Sequence, residues 1–371
     1  MKVLFLTYLP SPYRVDFFNE IGKKCELTVV FEKASASHRD NSWKKYQFKN
    51  FNGIVFKDNI NDFVPKIEVI QYLKKISFDD IIVHNVSTPT GMLAIQYMKN
   101  HNIPYWIESD GGIVKAGGGI KETIKKHFIK GAKGYFSSSK SCDEYFLKYG
   151  AEPDRIVRYP FAAFAENYIL EEPLHVNDKQ RLRDKLGIVE EKMVISVGRF
   201  SYLNGYGKGY DAILRAATRI SPSVGWYVVG GEPTKEFENM RREMNLTNVH
   251  FIDFKSKDKL REFYQASDLF VLMTVGDVWG LVINEAMASG LPIITTERCV
   301  AGMELVVNGV NGYVVKVGDD TELAKVVTKI LFENGTVDNM GRWSLKKISD
   351  YTIEKMADTH IKWLGERQCG F

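Results

Sequence analysis

The chain has 371 residues, enough for two domains of ordinary size, and its 44% hydrophobic content is that of a globular protein. A formal net charge of +4 is too small to argue for nucleic acid, and Cys25, Cys142, Cys299 and Cys369 lie far apart with no Cys-x-x-Cys, which argues against a zinc site or a disulfide framework. No apolar run approaches the ~20 residues of a membrane span and residues 3–9 are too short for a signal-peptide core, so a soluble or peripheral protein in a reducing cytoplasm is expected.

Residues 2–8 read as a buried parallel strand, broken by Pro10-Ser11-Pro12-Tyr13. A helix over 15–23 and a strand over 26–31 follow, the opening of a doubly wound domain. Residues 34–61 mix Trp43, Tyr46, Phe48, Phe51 and Phe56 with several lysines and read as a surface loop or short hairpin. Its rings either pack on the domain, stack on a sugar or touch lipid. A strand over 80–84, a helix over 91–101 and a strand over 103–107 lead to Glu108-Ser109-Asp110-Gly111-Gly112. These acids either shape a turn before the glycines or face a ligand at the strand end. Residues 113–134 carry Lys115, Lys121, Lys125, Lys126, Lys130 and Lys133, with Ile120, Ile124 and Phe128 at helical spacing. That pattern suits an anionic membrane surface, or equally a helix with its apolar face in the core. A strand over 134–138, a helix over 140–149 and a strand over 155–159 complete a domain of residues 1–165. Residues 166–190 are charged and aperiodic and read as a linker.

The second domain, 191–350, opens with a strand over 193–197, then Gly198-Arg199-Phe200 and Gly205-Tyr206-Gly207-Lys208-Gly209. Strands over 225–229 and 249–253 end at Gly230-Gly231 and Asp253, and a helix covers 259–266. Val271-Leu272-Met273 is a buried strand entering a loop at 274–279. Residues 280–288 form a short helix, Gly290 stops it, and 291–295 start the next strand. Strand, loop, helix and strand make one βαβ unit, with the helix N-terminus at the carboxyl ends of the strands, where free N–H groups suit phosphate. Glu285 lies one turn inside the helix, and Asp277 eight residues earlier in the loop. Glu304-Leu305-Val306, a strand ending near 315, a helix over 323–332 and an amphipathic helix over 351–364 close the chain.

Asp277-Val278-Trp279-Gly280-Leu281, Glu285-Ala286-Met287-Ala288 and Gly290-Leu291-Pro292 resemble the retaining nucleotide-sugar glycosyltransferases of family 4, the group 1 type. Their pattern is acid-x-Phe-Gly-Leu-x-x-x-Glu-Ala-Met-Ala-x-Gly-x-Pro-Val-Ile; here Asp277 replaces the usual Glu and Trp279 the usual Phe. The resemblance extends weakly over nearly the whole chain. It implies an α/β chain of GT-B fold, two Rossmann-like doubly wound domains facing across a cleft, with residues 351–371 crossing back to the first. Arg199 and Lys208 match the Gly-Arg and Lys-Gly of the family, and fixed cations there offset the charge of a departing diphosphate without a metal or other cofactor. By the same resemblance Glu285 binds ribose. Asp277 and the N–H groups around Val278, Trp279, Gly280 and Leu281 orient the donor sugar, and Gly230 and Asp253 frame the nucleoside. Asp110 stands six residues past Pro104, where many members carry a His that reaches the donor sugar.

Glu108, Arg14 and Ser11 are candidates for the acceptor side. The family brings a Gly-Gly pair to the diphosphate from the loop holding Ser11, but two prolines remove donors here. Arg14 either replaces them with charge or is solvated at the helix start. The implied reaction retains configuration by front-side attack, with the leaving phosphate oxygen taking the proton of a glycan or lipid-linked hydroxyl. Bacterial surface polysaccharide synthesis at the inner face of the membrane is the implied setting. Two other readings stand beside it. One is a nucleotide-sugar epimerase using His84, Glu108 and Asp110; the other is a non-catalytic partner of a transferase, suggested by the altered first acid and the absent imidazole.

Overall fold

The computed structural model describes residues 1–34, 47–57, 63–75, 77–114, 117–200 and 207–366. Trp43, Tyr46, Lys115, Gly205, Tyr206 and Cys369 lie outside the described residues. The chain divides into two units, Met1–Phe164 with Thr352–Phe371, and Ala165–Tyr351.

The first unit runs β1 (Lys2–Thr7), α1 (Pro12–Ile21), β2 (Glu26–Phe31), β3 (Asn52–Val55), α2 (Val69–Lys75), β4 (Asp80–Val83) and α3 (Pro89–Asn100). It continues through β5 (Trp106–Ser109), α4 (Ile120–Ile129), β6 (Gly134–Ser137), α5 (Lys140–Lys148) and β7 (Ile156–Arg158). Its sheet has the order β3-β2-β1-β4-β5-β6-β7, and every pairing is parallel. Val3-Leu4-Phe5-Leu6 is buried throughout, because helices cover both faces of a parallel sheet and leave no polar alternation. Of the aromatic excursion, residues 47–57 are described: β3 adds parallel to β2, and Phe48 and Phe51 pack on Phe31 at 5.4 and 6.5 Å between ring centroids.

The second unit runs α6 (Val176–Leu186), β8 (Lys192–Val197), α7 (Tyr210–Ala217), β9 (Val224–Val229), α8 (Lys235–Glu243), β10 (Val249–Ile252) and α9 (Lys257–Ala266). Next come β11 (Leu269–Leu272), α10 (Leu281–Ala288), β12 (Ile293–Thr296), α11 (Val300–Leu305), β13 (Gly312–Val315), α12 (Asp320–Phe332) and α13 (Thr336–Ile348). Its parallel sheet has the order β10-β9-β8-β11-β12-β13. The last helix, α14 (Ile353–Glu366), belongs to the first unit.

The expected linker at 166–190 is corrected, since α6 is a packed helix of the second unit. Its inward face is built from charge. Lys179 and Arg183 are buried, and the Arg183 guanidinium donates to Asp268 at 2.6 Å, the Ala266 carbonyl at 2.9 Å and the Glu191 carbonyl at 2.8 Å. A helix that docks through an arginine shows no apolar period. Residues 103–107 also differ from expectation. The strand is β5 at Trp106–Ser109, so Glu108 lies inside it, opposite Phe136 of β6.

Candidate functional site

Open α/β sheets bind ligands outside the carboxyl ends of their strands, where the strand order reverses. In the second unit that point lies between β8 and β11. The loops leaving these strands are sewn together. Thr274 Oγ1 donates to the Gly207 carbonyl at 3.0 Å, and the Val275 N–H donates to the same oxygen at 3.1 Å. α7 starts after Gly209, whose φ is +69° and where a Cβ would stand 1.9 Å from the Met273 carbonyl oxygen. Only glycine permits that approach.

The seam brings Lys208 to Asp277, with Nζ 2.5 Å from Oδ2 and both side chains part-exposed. Asp277 is itself fixed. Its N–H donates to the Arg298 carbonyl at 2.9 Å, and its own carbonyl accepts from Val300 at 3.2 Å. Gly280 then turns the chain at φ +100° into α10, whose start carries no side-chain cap. First-turn N–H groups of a helix have no intrahelical acceptor, so this end suits an anion. An ammonium, a carboxylate and a helix N-terminus thus meet at the reversal point of one sheet.

The other residues expected on the donor side are placed as follows. Val278 and Arg199 are exposed, Arg199 just beyond β8. The Leu281 backbone opens α10. The Trp279 side chain is 3% exposed and its indole N–H donates to Asn284 Oδ1 at 2.9 Å. The ring wedges the loop from inside, and only its backbone can serve a ligand. Glu285 is half-buried, and Tyr264 donates its hydroxyl to Oε2 at 3.1 Å. Burial pushes the Glu285 carboxyl above its ordinary range, and the Tyr264 bond offsets this in part. The Gly230 N–H is used internally, donating to Ile252 at 3.0 Å. Asp253 is exposed past β10, the edge strand, with β9 between it and β8. The sheet therefore does not bring Asp253 to Lys208 and Asp277.

In the first unit the order reverses between β1 and β4, where Thr7 and His84 stand. His84 Nδ1 lies 3.3 Å from Thr7 Oγ1, and Nε2 lies 2.9 Å from Asp110 Oδ1. The same Asp110 oxygen accepts from the Arg14 guanidinium. Burial alone would raise the Asp110 carboxyl, but Arg14 and then His84 hold it down to about 2. An imidazole is therefore present beside Asp110, supplied by the neighbouring strand.

Arg14, Glu108 and Ser11 as acceptor contacts are corrected. Arg14 is 2% exposed and Glu108 0%, with Nη1 donating to Oε1 at 2.7 Å, and Ser11 is buried. Because β5 extends through Ser109, Glu108 points into the core, and α1 turns Arg14 inward beside Phe17, Phe18 and Ile21 to meet it. Arg14 is thus neither solvated nor available to a diphosphate. Burial would lower its proton affinity, but Asp110 and Glu108 raise it above the ordinary arginine value. His360 of α14 completes the cluster. Its ring stacks on Phe136 at 4.2 Å between centroids, and Nε2 lies 3.8 Å from Glu108 Oε1. His84 had a usable signal in sequence, as the residue that ends an apolar strand. Tyr264 and His360 had none, since each looks like a core position of an amphipathic helix.

Residues 178–346 match the family model described as glycosyl transferases group 1. The N-acetyl-alpha-D-glucosaminyl L-malate synthase of Bacillus anthracis is 30% identical over 201 residues, 52% of this chain and 51% of that protein. Lipopolysaccharide glucosyltransferase WaaG of Escherichia coli (strain K12) is 25% identical over 172 residues, 46% of this chain and 45% of that one. The chain spans about half the length of the curated relatives it matches. Among solved structures, Anabaena HepE in complex with UDP superposes with a TM-score of 0.79 at 18% identity, over 98% of this chain and 99% of that one.

Proposed function

We propose that the chain, whose residues 178–346 match the glycosyl transferases group 1 model, is a retaining glycosyltransferase using a nucleoside diphosphate sugar. The observation that carries this is the junction of Lys208, Asp277 and the uncapped start of α10 at the reversal point of the second sheet. As the anomeric C–O bond breaks, its electron pair and negative charge pass to the diphosphate. Lys208, Arg199 and the α10 N–H groups offset that charge in place of a metal. Asp277 keeps the ammonium at this point before the donor arrives. The leaving phosphate oxygen takes the proton of the attacking hydroxyl, so no protein base is required. Glu285 receives the ribose hydroxyls. The Anabaena structures solved with UDP and with UDP-glucose support a uridine diphosphate sugar. The lipopolysaccharide glucosyltransferase WaaG supports a lipid-linked or glycan acceptor in surface polysaccharide assembly, and action at the inner face of the membrane is part of this proposal.

The test pairs thermal shift with turnover. UDP at 100 times its dissociation constant should add ~2.7 kcal/mol of stability. One of UDP-glucose, UDP-galactose or UDP-N-acetylglucosamine should be consumed with retained anomeric configuration, read by NMR. No stabilisation by UDP and no consumption of any of the three would sink the proposal. An epimer formed from donor alone would instead favour the epimerase reading, for which His84 against Asp110 is a candidate acid/base pair.

Peripheral contact with an anionic membrane through residues 115–133 belongs to the same proposal. On α4, Ile120 is 80% and Ile124 41% exposed, flanked by Lys121, Lys125, Lys126 and Lys130. Lys133 is drawn off to Asp80 at 2.9 Å and contributes nothing. Among the described residues no helix is long and apolar enough to cross a membrane. Each surface lysine adds about 1 kcal/mol toward an anionic surface. Co-sedimentation with phosphatidylglycerol vesicles should exceed that with phosphatidylcholine, and Ile120→Glu should abolish the difference. Equal binding to both vesicles would remove this part of the proposal.

A further inference from the structure

The first unit holds a second feature at the carboxyl ends of its strands. A cavity of about 180 Å³ is lined by Tyr8 after β1, Glu32 and Lys33 after β2, Phe63, Lys66, and Thr88 at the start of α3. Glu32 is 6% exposed, and Thr88 Oγ1 lies 2.5 Å from its Oε1 while also capping α3 through the Gly91 N–H. The Glu32 N–H donates to the Thr7 carbonyl at 3.1 Å and the Lys33 N–H to the Tyr8 carbonyl at 3.0 Å. Lys66 is buried, and its N–H donates to Thr90 Oγ1 at 3.1 Å. The cavity is smaller than the ~300–1,000 Å³ that holds a drug-sized ligand, so it admits one small ring and not an oligosaccharide.

The lining also narrows the chemistry. One carboxyl and two ammonium groups give no single-sign field that would select a simple anion. Hydroxyl and carboxyl groups beside the Tyr8 ring, with the Lys33 ammonium 5.7 Å from its centroid, match a polyhydroxylated ring with polar edges and an apolar C–H face. Resting on the transferase reading above, we propose that this cavity is the subsite for the acceptor's sugar ring, in which Glu32 accepts a hydrogen bond from a ring hydroxyl. A pH signature follows. Burial raises the Glu32 carboxyl to about 7, against Thr88, Thr90, Lys66 and Lys33, which all lower it. The carboxylate is the stronger acceptor, so affinity for the ring rises with pH through about 7.

Saturation-transfer NMR with the methyl glycosides of glucose, galactose and N-acetylglucosamine on the full chain tests this, alongside UDP affinity. At least one glycoside should bind the wild type, with affinity rising across pH 6–8. Glu32→Gln should weaken it about tenfold at pH 8 and flatten the pH dependence. Ser87→Trp, an exposed change at the cavity mouth, should abolish binding while leaving the core intact. UDP affinity should be unchanged in both variants. Failure of all three glycosides to bind the wild type overturns the subsite, as does wild-type glycoside affinity in both variants. Glycoside binding without any UDP binding would overturn the transferase reading and leave the ring site standing.

Discussion

Lys208→Ala should lower turnover of the nucleotide sugar by about 10²–10³-fold, or ~3–4 kcal/mol of transition-state stabilisation. The size follows from what the substitution leaves behind. Lys208 is 2.5 Å from Asp277, and its removal exposes that carboxylate to an approaching diphosphate of like charge. The loss should fall mainly on kcat, because charge on the leaving group peaks as the bond breaks. Asp277→Asn should cost less, since the ammonium stays and only its anchor is weakened. Initial rates against donor concentration separate the two variants. Rates for Lys208→Ala within threefold of wild type would remove Lys208 from the reaction.

Arg14→Met should destabilise the first unit by about 3–5 kcal/mol at pH 7, the cost of breaking a buried pair and leaving its partners charged. Arg14 is 2% exposed and joins Glu108 and Asp110, so two carboxylates lose their cation at once. The deficit has a pH profile. In the native protein Asp110 is held down to about 2, from an ordinary value of 3.8. Its contribution is therefore present above pH ~3.8 and is lost as pH falls through about 2. The variant lacks that contribution, so the gap between the two proteins narrows as pH drops from 4 toward 2. Hydrogen-exchange protection of the β5 and α14 amides is the direct readout. Arg14→Met/Glu108→Gln should recover part of the loss, because one buried charge is then gone. A constant gap from pH 7 to pH 2 would show that packing of the Arg14 stem, and not charge, sets the cost.

Some of this molecule was legible one residue at a time. Val3–Leu6 and Met193–Val197 are runs that only a two-sided parallel sheet buries, and both are core strands. Gly280, Gly290 and the apolar residues between them marked α10 to within a residue. Lys208 and Asp277 were each singled out, though not as a pair. Where the reading failed, the deciding partner was far away along the chain. α6 hides its inward face behind Lys179 and Arg183, whose reason is Asp268.

The sequence by itself determined the two doubly wound sheets, the glycosyltransferase motif and the residues around α10, because strand burial and helix termini are written in short-range periodicity and in glycines of forced conformation. Only the tertiary structure decided that Arg14 and Glu108 are internal, that His84 stands against Asp110, and that Glu32 sits in a cavity. Those facts join residues from different elements, and Arg14 of α1 meets Glu108 of β5 across 94 residues of chain. A buried ion pair also reads in sequence as two ordinary surface charges, because desolvation and its compensation exist only once the neighbours are in place.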